Sequence, residues 1–287
     1  MRDFRVQEVV NCIKILQRGE MTLPELLRYI WLWLKPVRNI RIRANKMFDE
    51  GDLAALRRRL LSMGRDDPLW FPRLFEPTTK GIRAWEYGIL AEIIDFRGKS
   101  VLDLGCGNSR LPMNMAKWGA RVTMVDMENP LEMTENKSGN NLHFVLGDMT
   151  KLVFLDNSFD VVVCISAIEH VDMKPGEKFY SAQEYRERAV KTIHELARVT
   201  KRGGVFYLTT DFYLPQQKTD KWPGSVDIIR GAFPWSYIKI FIEEITKAGI
   251  KLSSEPEYSE DLILKDINRA NFRGRYFSTF AFMGIKS

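Results

Sequence analysis

The spacing of apolar and polar positions changes near residue 81. Before that point apolar residues recur at helical spacing, and after it short apolar runs of strand length alternate with helical stretches. This pattern predicts helices at Arg83–Phe96, Leu111–Trp118, Tyr185–Val199 and Phe233–Ala248, and strands at Ser100–Leu104, Arg121–Val125, Leu142–Leu146, Phe159–Ile165, Gly204–Thr210, Lys251–Ser254 and Tyr276–Gly284. Short apolar strands alternating with helices favour an α/β fold, with a mostly parallel sheet covered on both faces.

The first 79 residues are predicted to form a basic helical extension or lid. One of its helices begins near Thr22, which can cap it, and has Pro24 in its first turn. Residues 64–79 hold three prolines and little periodic signal, so they are predicted to link the extension to a main domain at residues 80–287.

Charge is divided unevenly along the chain, whose formal net charge is +6. Residues 1–65 carry 14 Lys and Arg against 7 Asp and Glu, whereas the remainder is nearly neutral. Such a segment indicates an anionic partner, such as membrane headgroups, nucleic acid or an acidic protein, or else a basic helix that only faces water. A Trp-rich helix followed by a basic run predicts peripheral membrane contact through residues 20–46, and a lid packed on the main domain is the alternative.

Composition bounds the class of protein and its compartment. Hydrophobic residues make up 45% and charged residues 28%, which is typical of a globular chain and excludes a disordered one. The cysteines Cys12, Cys106 and Cys164 lie far apart, which disfavours a disulfide framework and a zinc site. With no signal-peptide pattern at the N-terminus, we expect a reducing cytoplasm, with any membrane contact at the inner face.

The strongest chemical signal is a glycine-rich turn directly after the first predicted strand. The segment Val101-Leu-Asp103-Leu-Gly105-Cys-Gly107 runs a strand into this turn, at the strand ends where α/β sheets bind nucleotides. Arg110 stands where a dinucleotide fingerprint has its third glycine. Nicotinamide cofactors are therefore disfavoured.

Acids and methionines follow the next two predicted strands. Asp126 ends the second strand, where a carboxylate can accept from both hydroxyls of a ribose, and Asp148 follows the third, where it can accept from an exocyclic amino group. The neighbouring Met127 and Met149 are predicted to sandwich an adenine. The alternative role for both acids is to cap a helix or a turn.

Together these motifs resemble those of the class I S-adenosylmethionine-dependent methyltransferases, over about residues 80–287. The segments Ser158–Val171 and Ala197–Gly204 match the family as well. The resemblance implies a Rossmann-like sheet of seven strands, mostly parallel, with an antiparallel last strand. It also implies S-adenosyl-L-methionine as the cofactor. No metal is expected, because the sequence shows no evident carboxylate cluster that would bind one. The residues it assigns to the cofactor are Arg83, Tyr87, Asp103, Gly105, Gly107, Asp126, Met127, Asp148, Met149, Ile165 and Ser166.

His170 is the predicted general base, because it follows the fourth strand and its pKa near neutrality suits proton removal. A structural or cofactor-binding role is the alternative for His170, and Glu169 is a second candidate base. After the fifth strand, Asp211 and Tyr213 are predicted to orient an acceptor. Trp222 and Trp235 are predicted to form its wall, and ordinary core anchoring is the alternative for each of these four.

The leading hypothesis is methyl transfer to a hydroxyl or amine of a small molecule, a glycan or a lipid-linked intermediate. The fourth strand ends in Cys164-Ile-Ser-Ala rather than in the Asn/Asp-Pro-Pro-Tyr motif, which disfavours amino-group methylation of nucleobases. RNA methylation is an alternative, although the main domain is nearly neutral and shows no RNA-binding module. A non-catalytic S-adenosylmethionine-binding interaction protein is the third hypothesis.

Overall fold

A computed structural model of the chain describes residues 44–48, 52–64, 82–128, 141–171, 180–214, 231–259, 271–272 and 275–287, together with residues 17, 23, 24 and 27. The chain divides into two compact units. One consists of Met1–Ile42 and Asp49–Asp95, and the other of Arg43–Phe48 and Phe96–Ser287. The boundary expected after residue 79 stays a prediction, and the helix that precedes the first predicted strand groups with the first unit.

Two helices are described in the first unit, α1 (Leu53–Gly64) and α2 (Ile82–Ile93). A Cβ on Gly88 of α2 would lie only 2.5 Å from the Cβ of Leu56 on α1. Glycine is therefore needed where these helices approach each other.

The second unit is built on one sheet. Its strands are β1 (Lys46–Met47), β2 (Ser100–Leu104), β3 (Arg121–Asp126), β4 (Leu142–Leu146), β5 (Phe159–Ile165), β6 (Thr200–Tyr213), β7 (Phe233–Pro234), β8 (Ile250–Leu252), β9 (Asn271–Phe272) and β10 (Arg275–Lys286). The order is β1-β10-β6-β5-β2-β3-β4, while β7 pairs with β6, and β8 and β9 pair with β10. Strands β6, β5, β2, β3 and β4 run parallel and β10 runs antiparallel to β6. The predicted α/β class and the antiparallel last strand are confirmed.

Among the described residues of this unit, three α-helices accompany the sheet: α3 (Leu111–Lys117), α4 (Ala182–Val199) and α5 (Tyr237–Lys247). Helix α4 begins at a capping box, in which Ser181 accepts from the Glu184 N–H and the Glu184 carboxylate accepts from the Ser181 N–H. Fully buried side chains of α4, α5 and the sheet form the core, among them Ile193, Leu196, Phe206, Leu208, Phe212, Phe241 and Ile245. Burial of this continuous apolar surface is the main stabilising contribution.

The helix predicted at Phe233–Ala248 is wrong at its start. Phe233 and Pro234 instead pair with the end of β6, and the helix begins at Tyr237. The Trp235 N–H donates to the Tyr213 carbonyl at 2.8 Å, which continues this contact. Two-residue strands carry no periodic signal, so β1, β7 and β9 were absent from the predicted seven.

Strand β6 is also longer than predicted, because it runs on from Thr210 to Tyr213. Its extension is paired with β10, where Phe277 lies opposite Tyr213. Asp211 and Tyr213 therefore lie on a strand and not in the loop that the sequence predicted. Tyr213 is 2% exposed, which corrects its predicted role in orienting an acceptor.

The predicted membrane-contact segment, residues 20–46, falls almost entirely outside the described residues. Its end, at Lys46, belongs to strand β1 rather than to a helix. The preceding Asn45 is fully buried, donates to the Met283 carbonyl at 3.0 Å and accepts from the Met283 N–H at 2.8 Å. Among the helices that the structure describes, none has the length and apolar character to cross a bilayer.

Candidate functional site

The glycine turn ties the ends of two parallel strands together. After β2, the Gly105 N–H donates to the Val125 carbonyl at 2.7 Å, and the Gly107 N–H donates to Asp126 Oδ2 at 2.9 Å. Both bonds reach the end of β3. The turn and Asp126 are therefore brought together, as the sequence predicted from their places at successive strand ends.

The two glycines of the turn meet different surroundings. Gly105 has φ +73° and Gly107 has φ +48°, both in the left-handed region that favours glycine. A Cβ on Gly105 would lie 2.4 Å from the Cβ of Ala167, whereas a Cβ on Gly107 would meet nothing within 4 Å among the described atoms. Gly105 is thus required for packing, and Gly107 leaves the backbone uncovered where a ligand can approach.

The acids at the ends of β2 and β3 have different environments. Asp103 is 3% exposed, and burial, followed by the charge of Asp126, raises the pKa of its carboxyl to about 7. Asp126 is partly exposed, and its Oδ1 accepts from the Glu128 N–H at 3.4 Å. Asp126 thus presents carboxylate oxygens at the edge of the sheet, while Asp103 lies within it.

Asp148 lies after β4 and is held from two sides. Its Oδ1 accepts from the Thr150 N–H at 2.8 Å, and both of its oxygens lie 3.3 Å from Arg188 Nη2. Partial burial opposes ionisation, but the bonds from Thr150 and the charge of Arg188 outweigh it and lower the pKa of Asp148. The carboxylate is therefore a fixed acceptor, with 41% of the side chain exposed.

The methionines that follow Asp126 and Asp148 are exposed to different extents. Met127 is 45% exposed, which is unusual for a large apolar side chain. Met149 packs against the core, and its Cε lies 3.3 Å from where a Gly105 Cβ would stand. The predicted sandwich around an adenine stays a prediction, with Met127 as its exposed side.

The segment after β5 carries backbone strain. Ile165 ends the strand, and Ser166 directly after it has φ +43°, which is uncommon for a residue with a side chain. Its N–H donates to the carbonyl and the hydroxyl of Thr209 on β6, at 3.0 and 3.2 Å. Strain of this kind collects at functional sites, and Ser166 lies at the same edge of the sheet as the glycine turn.

The two candidate bases, Glu169 and His170, face different environments. Glu169 is 1% exposed and accepts through Oε2 from the Thr210 hydroxyl at 2.8 Å. Its carboxyl therefore connects the turn after β5 to β6 in the interior of the protein. His170 is exposed, and its Cε1 lies 3.3 Å from where a Gly231 Cβ would stand. Of the pair, only His170 presents its side chain to solvent at this edge.

Arg83 and Tyr87 lie on α2, in the first unit. Arg83 Nη1 donates to the fully buried carboxylate of Glu86 at 2.8 Å, and Tyr87 is 9% exposed. Their predicted contact with the cofactor carboxylate stays a prediction.

The two cysteines near this edge, Cys106 and Cys164, are buried. Burial raises the pKa of the Cys106 thiol, with a further contribution from Asp103, and burial and the charge of Glu169 raise that of Cys164. Both thiols are therefore protonated and poor nucleophiles. Within the described residues, no cluster of His, Cys, Asp and Glu side chains is arranged to hold a metal ion.

Arg188 is the residue that the sequence analysis missed. Besides pairing with Asp148, its Nε donates to the Val171 carbonyl at 2.9 Å. Arg188 lies 40 positions from Asp148, so no local spacing could have indicated the pair.

S-adenosylmethionine, which the resemblance implies, fits this arrangement on three features. The backbone at Gly107 is uncovered, the Asp126 carboxylate can accept from ribose hydroxyls, and the exposed thioether of Met127 can cover an adenine face. Each feature matches a different part of the molecule, and S-adenosylmethionine is the cofactor expected for the domain.

Comparisons with known proteins agree with this geometry. Residues 102–208 match a family model described as a methyltransferase domain. Three curated relatives are each 35% identical to the matched part of this chain: a sterol 24-C-methyltransferase of Gibberella zeae, a cypemycin N-terminal methyltransferase of a Streptomyces species and a mitochondrial ubiquinone biosynthesis O-methyltransferase of Schizosaccharomyces pombe. The matches cover 48%, 42% and 31% of this chain, and 35%, 46% and 34% of the relatives' own lengths.

This chain thus spans less than half the length of each of these relatives. The matched residues 102–208 run from within β2, through the glycine turn and the strand-end acids, into β6. The family match, the parallel strand order and the strand-end motifs all coincide there, so residues 102–208 are similar to a methyltransferase domain.

Proposed function

We propose that this protein transfers a methyl group from S-adenosylmethionine to a small-molecule or lipid-type acceptor. The observation that carries the proposal is the Gly107 turn bonded to the Asp126 carboxylate, at the carboxyl ends of parallel strands. When bound, S-adenosylmethionine supplies a methyl group activated on a sulfonium. The protein's own contribution is to bind and align the two reactants, which can account for much of the rate.

In this proposal the residues at different strand ends bind different parts of the cofactor. Asp126 accepts from the ribose hydroxyls, and Asp148 accepts from the adenine amino group with Met127 against the ring. Gly107 and Ser166 bring the backbone close to the methionine part. The 45% exposure of Met127 and the φ of Ser166 support these assignments.

The acceptor is proposed as a class. The names of the three relatives place the methyl on carbon, on an N-terminus and on oxygen, and two of them refer to a sterol and to ubiquinone biosynthesis. This range supports a small-molecule or lipid-type acceptor, since one scaffold serves many substrates. From the sequence we further propose that the methyl group is transferred to a hydroxyl or an amine of the acceptor, which includes those of a glycan.

His170 is proposed as the base that takes the acceptor's proton, because it is exposed beside the turn that ends β5. A general base contributes about 10²- to 10⁴-fold. His170→Gln should therefore lower turnover of a methylated acceptor by about 10²-fold while leaving affinity for S-adenosylhomocysteine unchanged. Full turnover by this variant would remove the base assignment and leave the cofactor site standing.

The test of the cofactor site is calorimetric titration with S-adenosylmethionine and S-adenosylhomocysteine, with NAD as the negative control. We expect micromolar binding of the adenosyl ligands alone, about −8 kcal/mol. Asp126→Ala should weaken binding about tenfold or more, because hydrogen bonds to a charged group contribute about 1.5–3 kcal/mol.

Asp156→Ala is the matched control, since the Asp156 side chain is 68% exposed and pairs with Arg198 away from the strand-end acids. It should bind like the parent chain. Equal binding of NAD, or no adenosyl binding at all, would contradict the proposal.

A further inference from the structure

Arg188 on α4 reaches three separate segments of the second unit. Its Nη2 lies 3.3 Å from each oxygen of Asp148 in the segment after β4, and its Nε donates to the Val171 carbonyl after β5 at 2.9 Å. Its Cζ lies 4.4 Å from the ring centroid of Tyr180, just before α4. The Arg188 side chain is 17% exposed.

These contacts hold the guanidinium in one orientation. A guanidinium is a planar fork with donors in fixed directions, so a bond through Nε and another through Nη2 together define its plane. The Tyr180 ring adds a cation–π contact on one face. Arg188 can therefore hold the Asp148 carboxylate in one orientation.

Asp148 keeps acceptor capacity after these contacts are made. A carboxylate offers about four lone-pair positions. Oδ1 accepts from the Thr150 N–H and from Arg188, Oδ2 accepts from Arg188, and the Thr150 hydroxyl also donates to the carboxylate. With 41% of the side chain exposed, the carboxylate can still accept from a donor on a ligand.

We propose that Arg188 is a positioning residue that orients Asp148 to accept from the exocyclic amino group of adenine, and that it joins this acid to the turn that carries His170. The inference rests on the proposed cofactor site. It adds a determinant of purine specificity that acts through Asp148 and does not touch the ligand itself.

Arg198 offers a matched comparison on the same helix. It too pairs with carboxylates, Glu195 and Asp156, and donates to the carbonyls of Leu152 and Phe154. Neither carboxylate is one of the strand-end acids proposed to bind the cofactor. Arg198→Met thus removes a comparable set of structural bonds without altering Asp148.

The experiment compares two ligands on each variant by calorimetry. One ligand is S-adenosylhomocysteine, and the other is its analogue whose purine lacks the exocyclic amino group. The parent chain should prefer S-adenosylhomocysteine by about tenfold, the value of one hydrogen bond to a charged acceptor. Arg188→Met should reduce this preference to about twofold or less, and Arg198→Met should keep it near tenfold.

The preference is a ratio measured on one preparation, so a smaller folded fraction cancels from it. Should Arg188→Met fail to fold, Arg188→Lys serves instead, because a single ammonium cannot reach Asp148 and the Val171 carbonyl in the same fork. Its preference should also fall below the parent value.

The outcomes separate the inference from the proposed function. A parent chain that binds neither ligand contradicts the cofactor site itself. A parent chain that binds both equally, or an Arg188 variant that keeps the full preference, overturns the role of Arg188 and leaves the site standing. Tighter binding of S-adenosylhomocysteine by Arg188→Met would show that the arginine competes with the ligand, which also overturns the inference.

Discussion

The two ends of the parallel sheet shift the pKa of an aspartate in opposite directions. Asp103 and Asp160 lie on the neighbouring strands β2 and β5, one near each end. Asp103 is buried beside Asp126, and its pKa is raised to about 7. Asp160 accepts from the Ser100 N–H and hydroxyl at 2.8 and 2.6 Å and from Lys201 at 2.9 Å. These bonds, together with the charge of Lys201, outweigh partial burial and lower its pKa.

The two ends of the sheet also differ in how exposed and how constrained their residues are. At the amino ends of the strands, polar and charged side chains bond to one another, as Asp160 does with Ser100 and Lys201. At the carboxyl ends, Gly107 is uncovered, Ser166 is strained and Met127 is exposed. The amino end serves to hold the sheet together, whereas the carboxyl end keeps groups available for a ligand.

The largest expected effect comes from the glycines. Gly105 and Gly203 both have φ +73°, but of the two only Gly105 would bring a Cβ within 4 Å of another described atom, the Ala167 Cβ at 2.4 Å. Gly203→Ala should cost about 1–2 kcal/mol for the left-handed backbone, and Gly105→Ala about 2–5 kcal/mol because overpacking adds to it. Urea unfolding of both variants measures the difference. Equal losses would show that the turn can relax away from Ala167.

The next prediction concerns stability as a function of pH, which should differ between variants of Asp103 and of Asp160. Unfolded Asp103 loses its proton near pH 3.8, while the folded state keeps it until about pH 7, so Asp103 makes folding less favourable as pH rises between these values. The free energy of unfolding of Asp103→Asn should therefore rise by about 4 kcal/mol relative to that of the parent chain between pH 4 and pH 8. Unfolding at a series of pH values measures this.

Asp160→Asn should behave in the opposite sense. Because its pKa is lowered in the folded state, Asp160 stabilises the fold above its unfolded pKa, and this contribution is lost as pH falls. The variant should be less stable than the parent chain at neutral pH and approach it in acid. Parallel pH profiles for the two Asn variants would contradict the comparison.

The smallest expected difference concerns two buried threonines on β6. Thr200 donates to the Leu196 carbonyl at 2.7 Å near the start of the strand, and Thr210 donates to the Glu169 carboxyl at 2.8 Å near its far end. Thr200→Val should cost about 1 kcal/mol and Thr210→Val about 2 kcal/mol, because the latter leaves a buried carboxyl group without this donor. Thermal unfolding measures both, and a larger loss for Thr200→Val would reverse the ranking.

Local sequence was enough to predict most of the long elements. The strands Ser100–Leu104, Leu142–Leu146 and Phe159–Ile165 have the predicted bounds, because each is an apolar run bounded by turn residues. The glycine turn and Asp126 were also predicted to meet, since the ends of parallel strands share one edge of the sheet. The roles of these residues toward the cofactor remain predictions.

Other features were decided by contacts between distant residues. The extension of β6 to Tyr213 depends on pairing with β10, which begins 62 positions later at Arg275. The inward orientation of Glu169 depends on Thr210, and that of Asp148 on Arg188, 41 and 40 positions away. No periodicity connects residues at such separations.

The sequence by itself therefore determined the α/β class, the turn after β2 and the acids at the strand ends, because each depends on residues within one element or at its end. Only the tertiary structure decided that Asp103 has a raised pKa, that Glu169 is buried while His170 is exposed, and that Arg188 holds Asp148. Burial and side-chain partners depend on which segments pack together, and a local pattern of residues does not encode that.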